Sequence, residues 1–228
     1  MFPKLRSLAA LLAAGFILAA PAAHPVPIAW DLAGGGGSPF SPVNDTYASA
    51  GTFTETIPTG SSQVVIEDCG SGGSGGGGDA QSGDSGGGAG SGAYVKKTFA
   101  LTSSDWGTTF SVSLAAGSTA NGANLDGNTA LASTVTNGTY GTATSLSAGG
   151  GAAGIGFANG SAAGSGGTAS GGDVNTSGNA GTSGPGGTPP LLGGSGVAGI
   201  DCTSGKGGNG RITTGTAGTT GSIWFEYT

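Results

Sequence analysis

The chain has 228 residues, 53 of them glycine, with 8% charged residues and a formal net charge of −6. Glycine stands roughly threefold above its usual share and charge roughly threefold below, so a conventional core can only be small. Six basic residues with no cluster exclude the electrostatic footprint of a nucleic-acid binder. Glycine-rich disorder would carry high net charge and few aromatic or β-branched residues. Here Trp, Phe, Tyr, Val and Ile gather in alternating segments, so ordered structure is the expectation.

Residues 1–22 (MFPKLRSLAALLAAGFILAAPA) open with Lys4 and Arg6, continue through an apolar stretch over 8–20 and end at Ala20-Pro21-Ala22. That is the form of a secretory signal peptide, and it is short for a spanning helix. A second reading stands beside it: an apolar helix retained as a virion or membrane anchor. Residues 23–45 read as an extended connector, because Pro25, Pro27, Pro39 and Pro42 remove backbone donors and bias their predecessors away from helix.

The folded, glycine-rich β domain is expected over 46–228. Residues 52–57 alternate, Pro58-Thr59-Gly60 turns, and 63–69 (QVVIEDC) form a second strand. Residues 93–101 (AYVKKTFAL) and 108–115 (TTFSVSLA) read as a second pair around 102–107. Weaker strands are expected at 129–136 and 142–147, and SIWFEYT closes the chain with Ile223, Phe225 and Tyr227 on one face. No helix is expected after residue 22. The expected class is all-β, a small antiparallel sandwich-like scaffold with glycine-rich insertions between its strands.

Thirteen of the 23 residues from 70 to 92 are glycine, and further glycine-dense blocks run over 149–172 and 178–221. A linker does not recur three times inside one small domain, so these blocks read as an ordered array of extended chains brought close by the lack of Cβ atoms. Collagen fails as a comparison, since no strict Gly-X-Y period is kept. Polyglycine-II helices need no period in the sequence, and long surface loops are the plainer alternative. In a polyglycine-II bundle, residues other than glycine are expected only on the outside.

Cys69 and Cys202 are compatible with one disulfide tying the start of the glycine-rich region to its end, and two free buried thiols are the alternative. We expect the two to be neighbours, because Cys69 ends the strand entering the first block and Cys202 lies near the exit of the last. Two cysteines and the lone His24 are too few for a metal site, and no cofactor is implied.

No catalytic pattern has its partners. Gly83-Asp84-Ser85-Gly86-Gly87 spells a trypsin-like serine motif, yet the one histidine lies in the connector. Gly73-Ser74-Gly75 and its neighbours match GxSxG without a strand-to-helix elbow, and Ser204-Gly205-Lys206-Gly207 lacks the P-loop spacing. The chain is read as not an enzyme.

The order of strand, Pro-x-Gly turn, VVIEDC, glycine block, AYVKKTFAL, TSLSAGGGAAG (144–154) and terminal KGGNG…GSIWFEYT resembles the glycine-rich domain proteins of bacteriophage tail fibres and tail-tip adhesins, also found on bacterial surfaces. The resemblance covers roughly 50–228. The later blocks carry more Ser, Ala and Thr than the long glycine runs typical of that group. It implies a β base with a polyglycine-II layer whose exposed loops bind receptors. The implied setting is a virion, with partners among other virion proteins, further copies of the chain in a homo-oligomer such as a trimer, and a host glycan or outer-membrane protein. The alternative is a secreted bacterial surface or matrix protein. Receptor-contact candidates are the loop aromatics Trp106, Tyr140 and Phe157. For each taken singly, covering the edge of the small core is the stronger expectation.

Overall fold

Alternating segments pair into two antiparallel sheets. The computed structural model describes residues 40–79, 84–184, 204–211 and 213–228. Its strands are β1 (Val43–Tyr47), β2 (Gly51–Thr56), β3 (Gln63–Cys69), β4 (Tyr94–Ala100), β5 (Thr109–Leu114), β6 (Ser133–Asn137), β7 (Ser145–Ala148), β8 (Ala169–Ser170), β9 (Val174–Thr176) and β10 (Ser222–Tyr227). The first sheet runs β1-β10-β3-β4-β9 and the second β2-β5-β6-β7-β8, five strands each. The helical element among the described residues is a single 3-10 turn, Phe157–Asn159. The apolar segment 1–22 lies outside the described residues.

The period of two in the sequence becomes the two faces of each strand. On β10, Ile223, Phe225 and Tyr227 are fully buried, as expected, and β3 turns Val64 and Ile66 the same way. On the second sheet Phe110, Val112, Val135 and Leu146 are buried. These side chains form one cluster drawn from both sheets. Phe110 and Phe225, one from each sheet, lie with ring centroids 5.8 Å apart. Five aromatics, Phe99, Phe110, Tyr140, Phe225 and Tyr227, share this small core with ten aliphatic residues.

The pairing differs from the hairpins expected from the turns. β3 pairs with β4 and β2 with β5, so the Pro58-Thr59-Gly60 turn and the 102–107 turn each carry the chain from one sheet to the other. The two crossovers pack side by side, with Ile57 and Gly107 joined by a backbone bond of 2.9 Å. The ordered domain also starts earlier than 46. β1 begins at Val43 and pairs with the far end of the chain, Val43 opposite Tyr227. Pro42 precedes this edge strand, a position where a missing N–H is tolerated. β6 and β7 begin later than expected; ahead of β6, Ala130 donates its amide to Gly151 in a glycine segment instead of to a strand.

Strand register gathers the glycine-rich segments at one end of the sheets. Cys69 lies opposite both Tyr94 and Ser222, Tyr94 opposite Thr176, and Ala148 opposite Ala169. The blocks that leave these residues emerge together. The crossover turns sit at the other end.

Candidate functional site

Backbone hydrogen bonds organise the glycine segments. In 70–79, the amides of Gly70, Gly73, Gly76 and Asp79 donate to Ala93, Gly90, Gly87 and Asp84. Those of Gly72, Gly75 and Gly78 donate to Thr219, Thr216 and Thr213, and those of Ser74 and Gly77 to Asn128 and Leu125. Every third residue therefore faces the same neighbour. Segment 84–93 repeats the rule: Gly86, Ala89 and Gly92 bond to Arg211, Gly208 and Gly205, while Gly87, Gly90 and Ala93 bond to Ile155, Ala152 and Gly149. Gly88 and Ser91 reach Thr182 and Asn179, and all these bonds span 2.8–3.1 Å. A β-strand addresses two neighbours; these segments donate to three, and 70–79 also accepts from Gly151, Gly154 and Phe157 of one further segment and from Gly208 and Arg211 of another.

Such packing brings backbones to a separation that a Cβ would fill. At Gly72, Gly75, Gly87 and Gly90 an added Cβ would lie under 3.0 Å from a carbonyl oxygen of the adjoining segment. None of the four has a positive φ, so glycine is required there by close approach and not by a left-handed turn.

Residues other than glycine are not confined to the outside. Ser71, Ser74 and Ser91 have no exposed surface, and Ser85 has 1%. The reason is local: their hydroxyls replace a backbone partner. Ser74 Oγ accepts the Asn128 amide at 2.7 Å and Ser91 Oγ accepts that of Asn179 at 2.8 Å. Ser71 Oγ donates to Ala115 and accepts from Gly221. Small side chains that can both donate and accept fit a lattice that larger ones would split. Ser85, the serine of the protease-like motif, is one of these buried residues. His24 lies outside the described residues.

Cys69 is disulfide-bonded, and Cys202, its expected neighbour, lies outside the described residues. Beside Cys69 on the same sheet, Glu67 pairs with Lys96 at 2.9 Å, and burial together with Glu67 pushes the Tyr94 hydroxyl up to about 12. Asp68 points inward at the junction of sheets and array. Burial lifts its carboxyl well above the usual carboxylate range, and the Ala148 backbone offsets only part of that penalty.

The far end of the array is a surface of converging loops. Gly77 donates to Leu125 and accepts from Phe157; Gly78 donates to Thr213 and accepts from Asn124; Asp79 closes on Asp84. Asp126 Oδ1 accepts the Gly156 amide at 2.8 Å, which fixes the 3-10 turn. Leu125 is 56% exposed, an apolar side chain among polar loops. Among the described residues, the two non-glycine residues with positive φ, Asn124 (59°) and Ser161 (55°), both belong to these loops. Such conformations are uncommon outside glycine and persist only where surroundings hold them.

The three aromatic candidates are not brought together. Trp106 lies at the opposite end, packed against the core, and its Nε1 donates to Ser61 O at 2.8 Å. Tyr140 is not at the surface; it is 3% exposed and packs edge-on against Phe99 and tilted against Phe110. Its position after the Asn137-Gly138 turn folds the ring back over the core edge. Phe157 alone sits at the array end, half-buried. Leu125, Asn124 and Asp126 were not singled out from sequence. The signal was a turn-forming Asn-Leu-Asp-Gly (124–127) holding a leucine that no strand could use. Among the described residues no group of three or more His, Cys, Asp or Glu could hold a metal ion. No protein-family model matches the chain, and comparison with curated sequences finds no match.

Proposed function

We propose that the chain is a non-enzymatic structural and adhesive protein: a β-sandwich base whose insertions pack as a polyglycine-II layer and hold binding loops at its far end. The three-residue hydrogen-bond repeat of 70–79 and 84–93 carries this reading. Loops mounted on such a lattice are ordered before a ligand arrives, so less conformational entropy is lost on binding. The exposed Leu125 and half-buried Phe157, with carboxylates and Arg211 nearby, suit a protein or glycan surface. The resemblance to tail-fibre and tail-tip adhesins makes the reading specific: a bacteriophage tail-fibre, tail-tip or spike component, self-associated and mounted with other virion proteins, that attaches to a host.

A second reading has its own support. The disulfide-bonded Cys69 and the signal-like segment 1–22 suit an exported bacterial surface or matrix protein. The amino terminus of the protein isolated from its source separates the two. Intact Met1 in a particle supports the virion component, and a start near Ala23 or His24 supports export.

Attachment tests the adhesive claim in either setting. Leu125→Ala combined with Phe157→Ala is expected to abolish adhesion while thermal melting stays unchanged. Melting lowered in step with adhesion returns Phe157 to a packing role.

A further inference from the structure

The outward face of the second sheet differs from the tip in chemistry and place. Register puts Thr52, Ser113 and Thr134 on one rung and Thr54, Ser111 and Thr136 on the next, and β7 extends each rung by a serine. The only charged residue in the five strands of this sheet is Glu55, which is buried on the other face. The first sheet, by contrast, carries Asp45, Glu67, Asp68, Lys96, Lys97 and Glu226 in its strands. A chain of net charge −6 therefore keeps one whole face neutral. The six hydroxyls border a shallow open groove of about 340 Å³, and none bonds within the described residues. Thr109 and Thr139, at the margin of the sheet, are instead bonded to each other at 3.1 Å.

We propose that this groove binds a neutral polysaccharide chain. A hydroxyl both donates and accepts, so a two-dimensional set of them matches a ligand whose own groups do the same. Neighbours within a rung are ~4.8 Å apart and successive rungs ~6.8 Å apart, a regular lattice suited to a ligand that repeats. An anionic or cationic chain finds no counter-charge on the face. A second copy of this protein is a poor occupant, since stable protein interfaces have an apolar centre and here Phe53 and Val112 line the groove only from within the sheet, packed into the core beneath the hydroxyls. Each contact is weak, and occupancy comes from many engaged along one polymer. The site is separate from the array end and does not depend on the adhesive loops there.

The test is retention of the full chain on insoluble amorphous cellulose and chitin, with calcium alginate gel as the anionic control. Three proteins are compared: the natural chain, the face variant Thr54→Val/Ser111→Ala/Thr136→Val, and the tip variant Leu125→Ala/Phe157→Ala. The natural chain and the tip variant are expected to be retained on at least one neutral polymer and not on alginate. The face variant, with unchanged melting, is expected to lose at least tenfold in retention. Retention of the natural chain on neither neutral polymer overturns the proposal, as does equal retention of the face variant. Slowing of ice recrystallisation without glycan retention reassigns the lattice to ordered water and equally overturns it. Should the face variant fail to fold, the single Ser111→Ala change and competition by soluble cello-oligosaccharides replace it, and no competition rejects the site.

Discussion

The strand framework and the glycine array sit in one domain and are held in opposite ways. In the sheets, side chains on alternate positions fill a shared core, and the backbone bonds to two neighbours. In the array side chains are small or absent, and each inner segment donates through its amides to three neighbours in a three-residue repeat and accepts from others. The first region tolerates small changes of side chain and suffers when a large one is removed. The second is indifferent to what it lacks and suffers when one methyl is added.

Truncation in the sheet core should have the largest effect. Phe225→Ala removes a fully buried ring between the two sheets and is expected to cost about 3–5 kcal/mol, read by denaturant or thermal unfolding. A loss under 1 kcal/mol would mean that the sheets do not depend on this core. Next, Gly90→Ala sets a methyl against Ser165 O and is expected to cost about 1–3 kcal/mol. Gly141→Ala is the control: nothing lies within 4 Å of an added Cβ, and stability should be unchanged or up to ~1 kcal/mol higher. Equal effects at the two glycines would erase the contrast between a close-packed array and an ordinary loop.

How much of this was legible follows from where each signal resides. β3 was readable to the residue, since QVVIEDC is bounded by a turn and by glycine, and the buried face of β10 followed from alternation. Partner choice was not. A Pro-Thr-Gly turn looks the same whether the next strand pairs beside the last or crosses to another sheet, so β2–β3 and β4–β5 were expected as hairpins. β1 was hidden because its partner, β10, is at the other end of the chain. Composition pointed to an array of extended chains with long surface loops as the alternative; the three-residue hydrogen-bond repeat was not legible, because it belongs to backbone amides and leaves no period in the residues. Buried serines were the cost of that blindness: the sequence shows a hydroxyl but not the unpaired amide that it serves.

The junction of the two regions should respond to pH. Asp68 is buried there with its proton affinity raised, so the folded state favours the protonated acid. Its favourable contribution is complete below the ordinary carboxylate range near pH 4 and is lost as pH rises through the folded value. Asp68→Asn, which mimics the neutral acid, is expected to raise the melting temperature at pH 7–8 and to leave it nearly unchanged at pH 3. A mutant less stable at pH 8 would show that the carboxylate is stabilised by its surroundings. A smaller effect is expected from a buried serine of the array. Ser74→Ala leaves the Asn128 amide without its acceptor and should cost about 1 kcal/mol, while Ser103→Ala, on an exposed turn, should change nothing measurable.

Amide hydrogen exchange tests the array most directly. The backbone lattice predicts that the amides of Gly73, Gly76, Gly87 and Gly90 are protected to within about tenfold of those of Ile66 and Val95 in the central strands. Exchange of the four glycines at the rate of a free peptide, with Ile66 and Val95 still protected, would contradict it.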